Sequence, residues 1–254
     1  MKEKTANALR VITRPIRGLI DFIFYKLYFS LKNNYDILTP FKNQDLLIVG
    51  NGPSLKKTPL SDINMVSIGM NKINLLFEST KWRPDIITCV NGLVIKQNLT
   101  FFNSTATPLV LPVKAFYLGV KPRPNIIYVF LKKSKRFSKN IQSLSEGCTV
   151  TYTALQISAY LTPKSVNIVG VDHNFTKSEG KPYEIKKFKG NDDNHFHPNY
   201  FKGQFWGVPD LEQSEILFQK AKQYFDDQQI PSTDYTIEGK LNIFDKGQIK
   251  EILD

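Results

Sequence analysis

Residues 45–54 read DLLIVGNGPS, an apolar run that stops at two glycines, an asparagine and a proline. A run of this length and composition is expected of a strand buried on both faces. The turn after it has two readings, an ordinary tight turn or a backbone cradle for a phosphate. It is neither G-x-G-x-x-G nor a P-loop, since no Gly-Lys-Ser/Thr follows at the required spacing. Gly50 and Gly52 permit tight backbone geometry, Asn51 and Ser54 supply side-chain donors, and Pro53 suits the first turn of a following helix whose amides would face an anion.

Working outward, further apolar runs lie at Met65–Ile68, Asp85–Val90, Pro108–Leu111, Ile126–Phe130 and Val166–Val169, with a last short one near Ser232–Ile237. They lack clean alternation, as expected of buried parallel strands. Helical spacing marks Thr149–Leu161, which ends before Pro163, and Leu211–Gln228. Strands alternating with helices predict an α/β fold with a doubly wound, mostly parallel sheet of Rossmann-like type. Residues 45–254 are expected as one nucleotide-binding catalytic domain. Residues 172–208 form a long polar segment after the strand Val166–Val169, holding all three histidines, His173, His195 and His197. Loops of that length are usually functional, and the aromatic density argues against permanent disorder, so a lid over the carboxyl edge of the sheet is expected.

The turn has echoes. The second and third runs are followed by Asn71 and Asn91, so three successive strands are each followed by an asparagine, counting Asn51. Asparagine favours turns for its own reasons. Three in register nonetheless point to a nucleotide site, because an amide both donates and accepts without adding charge. Ser145, Gly147, Thr149 and Thr151 flank the start of the Thr149–Leu161 helix, as a second anion-binding edge or as plain caps. Asp172 and His173 follow a central strand where they can face a substrate. Any of the three histidines has the protonation chemistry of a general base. His195 and His197 beside Asp192 and Asp193 also fit a metal, but the pair lacks a defined third ligand and no metal is assigned.

The charge is +11, from 34 Lys and Arg against 23 Asp and Glu. That favours anionic partners, whether nucleic acid, anionic lipid or a phosphorylated substrate. No recognition-helix, zinc-finger or aromatic-basic signature is present, so nucleic acid is not expected. The run Lys132-Lys133-Ser134-Lys135-Arg136 reads as a solvated loop or a docking patch for an anionic acceptor. Two separated cysteines, Cys89 and Cys148, fit a reduced, cytoplasmic protein without disulfides. No apolar run reaches the roughly 18 residues of a membrane span. Residues 1–44 are expected as an amphipathic basic helical segment. Leu19, Ile20, Ile23, Phe24, Leu27 and Leu31 recur at helical spacing among Arg10, Arg14, Arg17, Lys26 and Lys32. Such a helix lies on the inner face of an anionic membrane through residues 9–32, or packs on the domain or on a partner subunit of a homo-oligomer.

Taken together, GNGPSL at 50–55, TVTYTALQ at 149–156, VGVDHNF at 169–175, NHFHPNYF at 194–201, PDLEQSE at 209–215 and GKLNIF at 239–244 resemble the MptE-like family. That family is named after an archaeal 6-hydroxymethylpterin diphosphokinase and includes the flagellin-modifying motility accessory factors. The resemblance runs from about residue 45 to 245 and leaves out the first forty residues. More remotely, the chain is similar to the bacterial sialyltransferases of glycosyltransferase family 42. That similarity implies a CMP-sugar held by Asn51, Gly52, Asn71 and Asn91, with Thr149 or Thr151 nearby. It also implies Tyr183 or Tyr200 on the departing phosphate, His195 or His197 as the base, and no metal. The expected function is transfer of a nonulosonic-type sugar from a CMP-activated donor to a glycan, glycolipid or surface-protein acceptor. The alternative is diphosphate transfer from ATP to a hydroxymethylpterin, with Mg²⁺ on Asp172, Asp192 and Asp193.

Overall fold

Apolar runs that are buried on both sides must be sandwiched, and here they form one sheet with both faces covered. The computed structural model describes residues 16, 18–174, 181–188 and 190–254. Its strands are β1 (Asp45–Val49), β2 (Val66–Met70), β3 (Ile86–Thr88), β4 (Leu109–Pro112), β5 (Ile126–Lys132), β6 (Ser143–Ser145), β7 (Ser165–Val169), β8 (Ile185–Lys187), β9 (Phe205–Gly207), β10 (Ser232–Asp234) and β11 (Asp245–Lys246). Nine of them make a wholly parallel sheet in the order β11-β10-β7-β1-β2-β3-β4-β5-β6, and β8 pairs antiparallel with β9 as a separate hairpin. This is the doubly wound, Rossmann-like α/β fold expected from the strand–helix alternation. The short strands β6, β8, β9 and β11 carry too few apolar residues to be read from the sequence.

Successive side chains of a strand point to opposite faces, and the core divides accordingly. Leu47 and Val49 of β1 join Ile87, Leu109 and Leu111 on one face, whereas Leu46 and Ile48 join Ile68, Val110 and Ile127 on the other. The helices are α1 (Gly92–Gln97), α2 (Leu99–Ser104), α3 (Lys114–Tyr117), α4 (Val150–Tyr160) and α5 (Leu211–Asp227). Residues Thr151–Ala159 of α4 are buried without a break, because α4 is enclosed between the sheet and α5. The connections after β1 and β2 are 3-10 turns, Pro53–Lys57, Leu60–Asp62 and Ile73–Glu78, rather than α-helices. Pro59 interrupts the first of these connections, where a longer helix would need its missing N–H group.

The N-terminal segment packs into this core. Residues 18–32 run as one helix with a π-helical turn at Tyr25–Phe29. Tyr25 and Phe29 are buried, and the Phe29 ring lies 4.3 Å from that of Tyr128. Residues 9–15 and 17 of the expected amphipathic stretch, with Arg10, Arg14 and Arg17, lie outside the described residues. Among the described residues, no helix is long and apolar enough to cross a membrane.

Strand β6 pairs only with Phe130–Lys132, so the first half of β5 is an open edge. Asn33 closes it: its Nδ2 donates to the Tyr128 carbonyl at 2.7 Å and its Oδ1 accepts from the Tyr128 amide at 2.9 Å. The side-chain amide thus imitates a strand residue. Replacing Asn33 by Ala is expected to cost about 1–3 kcal/mol, from two lost bonds at a partly buried edge. The check is urea unfolding, with a lower midpoint at an unchanged m-value.

Candidate functional site

The chain leaves β1 for β2 on one side and later returns to β7 on the other, so the switch point of the sheet lies between β1 and β7. In open α/β sheets ligands bind at such a point, outside the carboxyl ends of the strands. The GNGPS turn and the Gly170–Asp172 turn meet there. Gly50 donates to the Val169 carbonyl and Gly52 to the Gly170 carbonyl, each at 2.8 Å. The Ser54 amide and hydroxyl both donate to Asp172, at 3.0 and 2.7 Å. Pro53 has no N–H, so the turn offers an incoming anion at most the amide of Asn51.

The phosphate-cradle reading of the turn is therefore corrected. A Cβ on Gly50 would collide with the Gly170 carbonyl, and one on Gly52 with the Asp172 carboxylate. Close approach of the Gly170–Asp172 turn that follows β7 is enough to demand these glycines. The helix expected after Pro53 is a five-residue 3-10 turn whose first amides are engaged by Asp172 and Gly52. Asp172 itself is held by Ser54. Burial raises its pKa, and the two Ser54 bonds oppose that rise.

The asparagines differ among themselves. Asn51 donates Nδ2 to the Met70 carbonyl at 3.1 Å, which fixes the orientation of its amide, and its Oδ1 is buried without a partner. The Oδ1 of Asn71 is in the same condition, and Asn71 adopts φ +53°, the left-handed conformation asparagine tolerates. Two adjacent strand ends therefore each carry a buried amide oxygen without a protein partner, and the Asn71 amide also reaches Tyr200. Asn91 instead caps α1, accepting from Leu93 N at 2.9 Å. Thr149 caps α4 by accepting from Thr151 N, and the Thr151 hydroxyl is turned to Met70 Sδ at 3.6 Å. All five line one cleft of about 2280 Å³.

The lid forms the opposite wall. Phe196, Tyr200, Phe201, Trp206 and Val208 are buried and belong to the same core as Leu47 and Val49, so the lid is anchored by its aromatics. Lys72, buried beneath it, donates Nζ to the Tyr200 carbonyl at 2.7 Å and to Gln204 Oε1 at 2.6 Å. Its ammonium also lies 4.7 Å from the Phe201 ring centroid. His195 stacks on Tyr200 with 4.1 Å between ring centroids and 6° between planes. Its Nδ1 meets both oxygens of the fully buried Asp192 carboxylate, at 3.0 and 2.9 Å. A buried carboxylate on Nδ1 fixes the orientation of the ring.

The remaining candidates fall elsewhere. His197 lies outside the cleft lining, and its Nδ1 accepts from Asn199 N. His173 lines the cleft, but its Nε2 pairs with Glu215 of α5 at 2.9 Å. The Tyr200 hydroxyl is buried, accepting from Lys72 N, and burial pushes its pKa far up. Tyr183 is exposed and lines the cleft. Lys72 escaped sequence reasoning, since a lysine after a strand normally reads as solvent-facing. Asp192 was noticed only as a metal candidate. Of the carboxylates expected on Mg²⁺, Asp172 accepts from Ser54 and Asp192 meets His195. Among the described residues, no three His, Cys, Asp or Glu side chains come together as a metal site.

Geometry alone defines a Rossmann-like α/β protein with a cleft at the switch point, walled by strand-end side chains on one side and a histidine-bearing lid on the other. The chain belongs to the MptE-like family: the model described as "6-hydroxymethylpterin diphosphokinase MptE-like" matches residues 23–178, more than half of the 254 residues. The match begins inside the N-terminal helix, which the resemblance read from the sequence left out, and stops before the Asp192–His195 pair. No match was found among curated proteins or among solved structures.

Burial lowers the pKa of Lys72 from its ordinary 10.5 to about 8, against the opposing pull of Asp192. Between those values the unfolded chain binds more protons than the folded one, so stability rises with pH from about 8 to 10.5. Below pH 8 the full cost of burying the ammonium is present. Urea unfolding of the wild type and of Lys72→Met across this window is expected to show the difference shifting in favour of the wild type as pH rises. A flat difference would mean that the amine titrates normally.

Proposed function

We propose that the protein is a glycosyltransferase that moves a sugar, of the nonulosonic type, from a CMP-activated donor to a glycan, glycolipid or surface-protein acceptor. The observation that carries this reading is the Asp192–His195 pair on the lid wall of the switch-point cleft. In an inverting displacement the acceptor oxygen attacks the anomeric carbon as the bond to the CMP phosphate breaks. The acceptor proton needs a base at that moment, and the leaving phosphate needs a donor. His195 takes the proton on the ring nitrogen away from Asp192, and the carboxylate balances the charge. The Tyr183 hydroxyl has the chemistry to donate to the phosphate.

The strand ends support a nucleotide. Asn51 and Asn71 line the cleft, and a carboxamide has the chemistry to meet ribose hydroxyls or the exocyclic amine of a base. Lys96, Lys114, Lys132, Lys133, Lys135 and Lys181 line the same cleft and favour an anionic donor. The family description itself favours the second reading, ATP-dependent diphosphate transfer to a hydroxymethylpterin. The engagement of Asp172 and Asp192 weighs against it.

A thermal-shift panel of CMP, CDP, UDP, GDP and ATP, with and without Mg²⁺, separates the two. The transferase reading expects CMP to raise Tm and EDTA to leave that rise unchanged. A response confined to Mg-ATP would overturn it. His195→Gln is expected to slow CMP release from a CMP-activated nonulosonic acid by about 10²–10⁴-fold while keeping the CMP shift. His197→Ala should stay near wild type, and full activity in His195→Gln would place the base elsewhere.

A further inference from the structure

The N-terminal helix is apolar on two opposite sides, and the fold uses only one. Tyr25 and Phe29 face the sheet, and Phe22 and Phe24 lean on Phe130 and Phe116, with 5.4 and 5.6 Å between ring centroids. On the other side Ile16, Leu19, Ile20, Ile23, Leu27 and Leu31 follow one another at intervals of one, three or four residues, and all are exposed. Leu27 is 74% and Leu31 80% exposed. From Ile16 to Leu31 this stripe runs roughly 22 Å along the helix. A soluble monomer rarely leaves so long an apolar stripe uncovered.

Charge decides what covers it. Lys26 and Lys32 are exposed on the same helix, and Asp21 is the sole acid among its described residues. The Phe22–Phe130 contact sets the helix on β5, whose continuation carries Lys132, Lys133 and Lys135 at the rim of the cleft. Leucines between lysines match an anionic bilayer, in which apolar side chains enter the acyl boundary and ammonium groups meet the headgroups. A second copy packed stripe to stripe would bring the lysines of one chain against those of the other. The helix also shares Gly18, Ile20 and Asp21 with the cleft lining, so whatever covers the stripe lies beside the mouth of the site.

We infer that residues 16–31 form an interfacial docking face for a membrane containing anionic lipid, and that the cleft opens at that surface onto a lipid-carried acceptor. The docking stands apart from the catalytic reading, whereas the nature of the acceptor rests on the transferase proposal. The test is flotation of the full chain with phosphatidylcholine vesicles, with and without phosphatidylglycerol. The wild type is expected to float with the anionic vesicles, and less so as salt is raised. Leu27→Glu with Leu31→Glu should lower partitioning at least about tenfold, and Lys26→Glu with Lys32→Glu should remove the preference for phosphatidylglycerol. Both variants alter exposed residues and should keep the Tm of the wild type and any CMP shift. Flotation that ignores the leucine substitutions would overturn the docking face. So would a chain that fails to float but forms a dimer that Leu27→Glu dissociates, which would assign the stripe to a second copy. Loss of the CMP shift with flotation intact would fault the transferase reading alone.

Discussion

The continued pairing of β1 and β7 beyond their own ends is the contact on which the site depends. Parallel strands normally part where their turns begin. Here Gly50 and Gly52 keep donating to Val169 and Gly170, and Asp172 then receives both Ser54 donors. Two chain reversals are thereby locked face to face at the switch point of the sheet. This removes the turn as a source of free amides and makes it a rigid floor instead. Beside that floor, at the ends of two adjacent strands, Asn51 and Asn71 each carry a buried amide oxygen without a protein partner.

Carboxamides solve a second problem at the far end of the sheet. Parallel strands leave edges with unpaired backbone groups, which proteins must cover. Asn33 takes the N–H and C=O of Tyr128 in β5, and Gln156 of the buried helix α4 does the same for Ser145 in β6, at 2.8 and 3.0 Å. Two carboxamide side chains thus each stand in for a strand residue. The first of these ties the N-terminal segment into the domain, consistent with a family match that starts at residue 23.

The central sheet was legible because parallel strands buried on both faces are written as runs such as LLIV and IIYVF, which few other structures produce. The helices α4 and α5 showed through their spacing. The short strands β6, β8, β9 and β11 did not, since two or three residues carry no period and their pairing is set by tertiary contacts. Around the site, residue types could be read but their engagements could not. Gly50 and Gly52 announced a close approach, yet the partner turned out to be a strand 120 residues away rather than a ligand. Three histidines stood together in sequence, and only the fold distinguishes His195 on Asp192 from His173 on Glu215 and from His197 outside the cleft. Lys72 gave no signal, because its burial depends on a lid that arrives from residues 200–204.

Lid and floor are joined at one more point, with a mechanical consequence. The Phe196 amide donates to the Asn51 carbonyl at 3.0 Å, one residue from His195 in the chain. Asn51 therefore holds the lid by its backbone while its side chain faces the cleft from the β1 end. Any ligand that engages the Asn51 amide oxygen acts on the residue to which the lid backbone is hydrogen-bonded. The aromatic stack of His195 on Tyr200, with Lys72 below, gives that backbone little freedom to swing alone. Floor and imidazole-bearing lid are thus joined through a single peptide unit.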